Sequence, residues 1–253
     1  MLLCNNEPDL ILLTEVIPKA QRLPLAPALL QIPGYSMFHN FLPSTLNLGS
    51  SGTRGICLYA AEHLNVTEVF FNQSVIENVW VTLSLQGGNS LLIGCLYRSP
   101  SGSTEDSVQQ LEQLIRQVCA TSHSHLVVVG DFNLPQINWS AQSSQAPMSH
   151  CSHSFIETIR DCFLFQHVLK PTRYRLDETP SVLDLIFSRE EGMVRKLEYL
   201  PGLGNSDHVV LQFTVACSPL EAVPQPSCQI ALTLNCYLRP RVPLTGHRWV
   251  TWT

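Results

Sequence analysis

Leu126-Val127-Val128-Val129-Gly130-Asp131-Phe132-Asn133 is the stretch whose reading decides the fold. Four apolar residues, rich in valine, predict a strand buried on both faces. The chain is expected to turn at Gly130 and to present two polar groups past the strand's end. In extended backbone, residues two apart point the same way, so Asp131 and Asn133 should enter one pocket while Phe132 packs away from it. A carboxylate and an amide at the mouth of such a strand stand where open α/β sheets place their chemistry. An Asp-x-Asn sequence also ends ordinary strands as a plain turn. What favours a site is that other strand ends in the chain carry matching groups.

Upstream, Leu91–Leu96 is an apolar strand that ends in Tyr97-Arg98-Ser99-Pro100, placing a phenol and a guanidinium at its terminus. Arg98 is read as a substrate-binding group. Before it, Val79, Val81, Leu83 and Leu85 alternate with polar or amphipathic residues, the mark of a half-buried strand, and Gln86-Gly87-Gly88-Asn89 makes the turn between the two. Leu10-Ile11-Leu12-Leu13 predicts another buried strand, with Glu15 at its C-terminal end. Pro18, Pro24, Pro27 and Pro33 make the next connection irregular. Gly34–Phe41 and Gly55–Ala60 predict strands flanking a Ser/Gly/Thr loop at Gly49–Thr53.

Downstream, Ser103 can cap a helix with Glu105 and Asp106 in its first turn, and Val108, Leu111, Ile115 and Val118 give that helix one apolar face. A second helix is expected where Phe155, Ile159, Cys162 and Phe163 share a face, after a polar loop from Leu134 to Cys151. Ser181–Phe187 then predicts a strand of Val, Leu, Ile and Phe with Asp184 inside it. An unpaired carboxylate there costs several kcal/mol, so Asp184 calls for a cationic or strongly donating partner. His208, in Ser206-Asp207-His208, introduces the strand Val209–Val215 and is the candidate, held by Asp184 in one orientation. From 217 to 253 the pattern decays into a proline-rich, irregular tail, although Cys228–Leu238 alternates with Ile230, Leu232, Leu234 and Cys236 on one side.

The totals bound the function classes. A chain of 253 residues with 45% apolar content fits one large α/β domain over 1–216. No apolar run approaches a membrane span, and the first residues carry no basic, apolar leader. Nine cysteines without CxxC spacing suggest reduced thiols in an intracellular protein, nuclear or cytoplasmic and not secreted. A net charge of −5 argues against a strongly basic nucleic-acid grip but allows a local basic rim.

Taken together, Pro8-Asp9-Leu10-Ile11 with Thr14-Glu15, Arg54–Tyr59, Leu96–Pro100, Val129–Asn133, Ser181–Phe187 and Asn205-Ser206-Asp207-His208 resemble one family. It is the endonuclease/exonuclease/phosphatase superfamily, and within it the apurinic-type endonuclease domain of LINE-type (non-LTR) retrotransposons. The resemblance runs from about Asn6 to Val215. It implies a four-layered α/β sandwich, two central mixed β-sheets flanked by helices, and a metal-dependent phosphodiesterase that nicks DNA with Mg²⁺ or Mn²⁺. Position by position it implies that Glu15 ligates the metal with Asp207 close by, and that Asp131 orients and deprotonates the attacking water. Asn133 and Tyr97 would hold phosphate oxygens. His208, aligned by Asp184, would donate to the phosphoryl oxygen, and Ser206 and Thr172 would touch the site's edge or the DNA backbone.

In that family a strand ending in Asn precedes the Pro-Asp-Leu-Ile segment. This chain begins too late to hold it, so an N-terminally truncated fold with its first strand missing is expected, and Cys228–Leu238 is expected to fill part of the vacated edge. The alternatives are a catalytically impaired retroelement-derived protein that keeps the fold as a binding or orphan module, and a phosphatase of the same superfamily. DNA is the expected partner, with no membrane and no protein partner.

Overall fold

The computed structural model describes residues 8–17, 26–41, 54–71, 76–101, 103–217 and 228–233. Pro18, Pro24, the loop expected at Gly49–Thr53, and Leu234 and Cys236 of the alternating tail lie outside the described residues. The central stretch forms a strand that runs through Asp131. In chain order the strands are β1 (Leu10–Thr14), β2 (Tyr35–Asn40), β3 (Ile56–Ala61), β4 (Thr67–Val69), β5 (Glu77–Ser84), β6 (Ser90–Tyr97) and β7 (His125–Asp131). They continue with β8 (Ile137–Asn138), β9 (Ser143–Ser144), β10 (Phe165–Gln166), β11 (Asp184–Ser188), β12 (Val194–Leu200), β13 (Val210–Val215) and β14 (Cys228–Thr233). The two α-helices are α1 (Thr104–Cys119) and α2 (Ser152–Asp161).

Two six-stranded mixed sheets face each other, one ordered β12-β13-β14-β1-β3-β2 and the other β10-β11-β7-β6-β5-β4. This is the expected α/β sandwich. Alternation along each strand builds the layers. In β7, Val127 and Val129 join the core between the sheets with Leu10, Leu12, Ile56, Leu58 and Phe213, while Leu126 and Val128 turn to the other face. That second face buries Val108, Leu111, Ile115 and Val118 of α1 and Phe155 and Ile159 of α2. Ser103 caps α1, its side-chain oxygen accepting from the N–H of Asp106 at 3.2 Å. Both described α-helices lie on this one sheet. The outer face of the other is covered in part by Leu30, from the short 3₁₀ turn Pro27–Leu30, packed with Leu13, Val16, Tyr35 and Tyr59.

Several local expectations are corrected. Gly130 is no turn but a strand residue, opposite Leu96 of β6, where a Cβ would stand 2.0 Å from the Leu96 carbonyl oxygen. Phe163 lies past the end of α2 with φ of 52° and is 83% exposed, so it leaves the apolar face expected of it. Both faces of β5 are covered, because Trp80 sits over Gly94 and is buried too. Strands β4 and β12 had no pattern to announce them; in β12 the sequence Val194-Arg195-Lys196-Leu197-Glu198 sits at a sheet edge, where charged residues are tolerated.

The expected irregular tail contains β14, which inserts between β13 and β1. It runs antiparallel to β13, from Val210↔Thr233 to Val215↔Cys228, and parallel to β1, from Leu10↔Ile230 to Leu13↔Thr233. It therefore fills a central position in its sheet. Among the described residues no helix is long and apolar enough to cross a membrane.

Candidate active site

Strand parity carries polar groups to one end of the space between the sheets. Glu77, Tyr97, Asp131 and Asp184 are register partners, one to the next, across β5, β6, β7 and β11. Each continues the series of its strand that faces the opposing sheet: Val79 and Val81, Ile93 and Cys95, Val127 and Val129, Ile186. A row that is apolar further along the sheet becomes polar at its end.

At one end of this row stands the Asp131–Asp184–His208 group, all buried, whose potential ligand atoms lie within 4.8 Å of one another. His208 Nδ1 lies 2.8 Å from Oδ2 and 3.0 Å from Oδ1 of Asp184, so the expected pair is present. Burial opposes a charged imidazolium at His208, but the Asp184 carboxylate and its hydrogen bond, then Asp131 and Asp207, lift its pKa to about 9. Burial, then the Asp184 carboxylate, pushes the Asp131 carboxyl well above its ordinary range, with His208 working the other way. The site thus pairs a charged donor with a carboxyl whose affinity for a proton is raised by burial and by Asp184.

At the other end Glu15 follows β1 in the left-handed region, with φ of 53°. A non-glycine residue there carries strain that the surroundings must hold. The Tyr97 hydroxyl donates to Glu15 Oε1 at 2.6 Å, and Arg54 Nη2 lies 3.6 Å from the same oxygen. Burial and the Glu15 carboxylate push the Tyr97 hydroxyl up, so it stays protonated and donating. Glu77 accepts from the backbone N–H groups of Arg54 at 2.9 Å and Gly55 at 2.6 Å. Burial lifts the Glu77 carboxyl to about 7 against those donors and the Arg54 charge.

Other expected site residues are placed differently. Asn133 has φ of 50°, so the chain is no longer extended there and the same-face argument fails. Its N–H donates to Asp131 Oδ1 at 3.2 Å, closing an Asx turn, and its side-chain amide donates to the Arg98 carbonyl at 2.9 Å. Phe132 does pack away, against Phe155 and Phe187. Arg98, expected to touch substrate, is 3% exposed and directs its guanidinium inward. Thr172, expected at the site's edge, is fully buried; its hydroxyl oxygen accepts from Leu183 and Asp184 N–H at 3.1 Å each, and its carbonyl from Val209 N–H at 2.8 Å. It knits the segments of Asp184 and His208 together. The Ser206 hydroxyl oxygen accepts from the His208 N–H at 3.1 Å.

Asp207, expected beside the metal, is held elsewhere. Its Oδ2 accepts from Arg173 Nε at 3.1 Å and Arg175 Nη2 lies at 2.8 Å. Burial works against ionisation, but the Arg173 hydrogen bond, then His208 and Arg175, hold its carboxyl below the usual range. Among the described residues neither Asp207 nor Glu15, the two expected metal ligands, is part of the clustered ligand atoms. Arg54 and Glu77 were missed as site residues. Parity would have found Glu77, two residues before Val79 in an alternating strand; Arg54 stood at the start of a motif of the family resemblance, which gave it no role in the site.

Comparisons with known proteins agree with this architecture. The sequence profile described as endonuclease–reverse transcriptase matches residues 91–212. The endonuclease domain of TRAS1, a telomere-specific non-LTR retrotransposon, superposes with a TM-score of 0.51 at 18% identity over 80% of this chain and 95% of that one. The catalytic domain of Xenopus laevis APE2 gives 0.51 at 12% identity over 86% of each. An endonuclease/exonuclease/phosphatase family protein from Leptotrichia buccalis C-1013-b gives 0.50 at 18% identity over 79% and 84%. No curated protein matches the sequence. The chain has the endonuclease/exonuclease/phosphatase fold, a nuclease and phosphatase scaffold. The part of the chain similar to the endonuclease–reverse transcriptase profile, residues 91–212, runs from β6 to β13.

Proposed function

We propose that the protein is a metal-dependent phosphodiesterase of the retrotransposon endonuclease type that nicks DNA. The observation that carries this reading is the buried convergence of Asp131, Asp184 and His208, from three separate segments, at one end of the space between the sheets. Oxygen donors beside β1 suit a hard divalent cation: the Glu15 carboxylate, and next to it in sequence the Thr14 hydroxyl, which is buried without a hydrogen-bond partner. Glu15 would hold the cation. Bound there, Mg²⁺ or Mn²⁺ supplies Lewis-acid stabilisation of phosphate charge.

The chain's own residues supply the rest. Asp131 takes a proton from the attacking water as its oxygen bonds to phosphorus. His208, kept as an imidazolium by Asp184, donates to a phosphoryl oxygen as charge builds, worth roughly 3 kcal/mol by analogy with oxyanion-hole donors. The bond to the leaving oxygen breaks, that oxygen takes up a proton from solvent water, and Asp131 returns its proton to solvent. Tyr97 orients Glu15, and Asn133 lies at the Asp131 turn.

The second reading is a binding module on the same fold, favoured by the ion pairs that Arg54 makes with Glu15, and Arg173 and Arg175 with Asp207. Nicking of supercoiled plasmid with Mg²⁺ or Mn²⁺ separates the two. Wild type should nick, chelator should stop it, and Asp131→Ala and His208→Ala should each lose roughly 10²–10³-fold. No nicking by wild type, with DNA still bound, supports the binding module. Phosphate release from inositol phosphates supports a phosphatase.

A further inference from the structure

Arg98 follows Tyr97 on the opposite parity, so it faces the helices and not the cleft. Its three groups of donors are spent inside the protein. Nε donates to the Phe132 carbonyl at 2.8 Å, Nη2 to the Asn133 carbonyl at 2.6 Å, and Nη1 to the Ser107 hydroxyl at 2.9 Å. Its backbone N–H donates to the Asp131 carbonyl at 3.0 Å. Three consecutive carbonyls, those of residues 131, 132 and 133, are therefore bound by one residue. The Asn133 side chain closes the loop by donating back to the Arg98 carbonyl at 2.9 Å.

A buried guanidinium costs several kcal/mol unless a carboxylate compensates it. Among the described residues no carboxylate lies within ion-pair distance of Arg98, which rests on carbonyl dipoles and one hydroxyl. A neutral side chain filling the same space would leave the Phe132 and Asn133 carbonyls without these donors. What the fork does is geometric. It fixes the turn in which Asn133 is left-handed, and from that turn the Asn133 N–H holds Asp131 Oδ1 at 3.2 Å.

We propose that Arg98 is a positioning residue for Asp131, locking the backbone of Asp131–Asn133 so that the carboxylate stays aimed into the cleft. This rests on the reading of Asp131 as the proton acceptor. The guanidinium suits the task because its planar fork reaches two successive carbonyls at once, which a lysine ammonium does not.

The test uses the full chain as wild type, Arg98→Ala, Arg98→Lys and Ser107→Ala. Two readouts are taken: amide NMR resonances of Asp131–Leu134, and plasmid-nicking kcat and KM. In Arg98→Ala the resonances of Phe132 and Asn133 should shift, kcat should fall roughly 10²-fold with KM nearly unchanged, and added guanidinium should restore part of kcat. Arg98→Lys should show the same resonance shifts without rescue, and it decides the question if Arg98→Ala does not fold. Ser107→Ala, which removes one acceptor of the fork and leaves both carbonyl bonds, should shift the same resonances less and lower kcat less than Arg98→Ala. Unchanged resonances at 131–134, or a raised KM with unchanged kcat, would overturn the proposal. If the wild type does not nick DNA, that counts against the nuclease reading alone, and the resonances still decide the role of Arg98.

Discussion

His208 Nδ1 and Asp184 Oδ2 stand 2.8 Å apart, with the two side chains 2% and 0% exposed. Removing either partner leaves an uncompensated buried group, which costs about 3–5 kcal/mol. Asp184→Asn and His208→Ala should each lose that much in urea unfolding, and the double variant should lose less than their sum. Additive losses below about 1 kcal/mol each would show that the pair is not coupled.

Stability should fall as pH rises, in two windows. The Glu77 pKa is raised to about 7 from 4.5, so its contribution is complete below 4.5 and lost as pH climbs through 7. The His208 pKa is raised to about 9 from 6.5, so its contribution is complete below 6.5 and lost as pH passes 9. Thermal melts across both ranges check this. Glu77→Gln should flatten the first window and His208→Gln the second; a flat wild-type profile would contradict both assignments.

Gly130 has no room for a side chain. Its Cβ would meet the Leu96 carbonyl oxygen at 2.0 Å, and backbone cannot swing aside as a side-chain tip can. Gly130→Ala should therefore cost about 3 kcal/mol or more, and disturb Asp131 next to it. Gly94→Ala meets the Trp80 ring at 2.1 Å and should cost a similar amount. Circular-dichroism melts measure both.

Strand β14 pairs on both sides, so proline within it removes a ladder hydrogen bond from the middle of a sheet. Ala231→Pro should lower stability by about 1–3 kcal/mol, or several degrees in Tm. It should also weaken nicking, because β14 lies between the strand that leads to Glu15 and the strand that follows His208. An unchanged Tm would remove β14 from the sheet.

Much of this protein was readable along the chain. Strand β7 was legible because a run of valines can only be covered on both sides, and α1 because its cap, first-turn acids and apolar spacing agree. The Asp184–His208 pair was legible because a carboxylate among Leu, Ile and Phe demands a partner. These are local patterns or simple demands of burial, which any fold must meet. The two sheets and their family resemblance followed from motifs in order.

Tertiary structure alone decided which way the polar tips turn. Arg98 looks like a site residue because it follows Tyr97 at a strand end, and Thr172 because the family resemblance puts it at the site's edge, yet their side chains point inward and hold backbone. Asp207 is claimed by two arginines from a loop 32 and 34 residues away. Asn133 leaves the extended region, which no alternation argument foresees. Arg54, Glu77 and β14 gain meaning only from neighbours distant in sequence. The physical reason is that a charged group's orientation depends on which opposite charge or carbonyl reaches it first, and chain folding settles that.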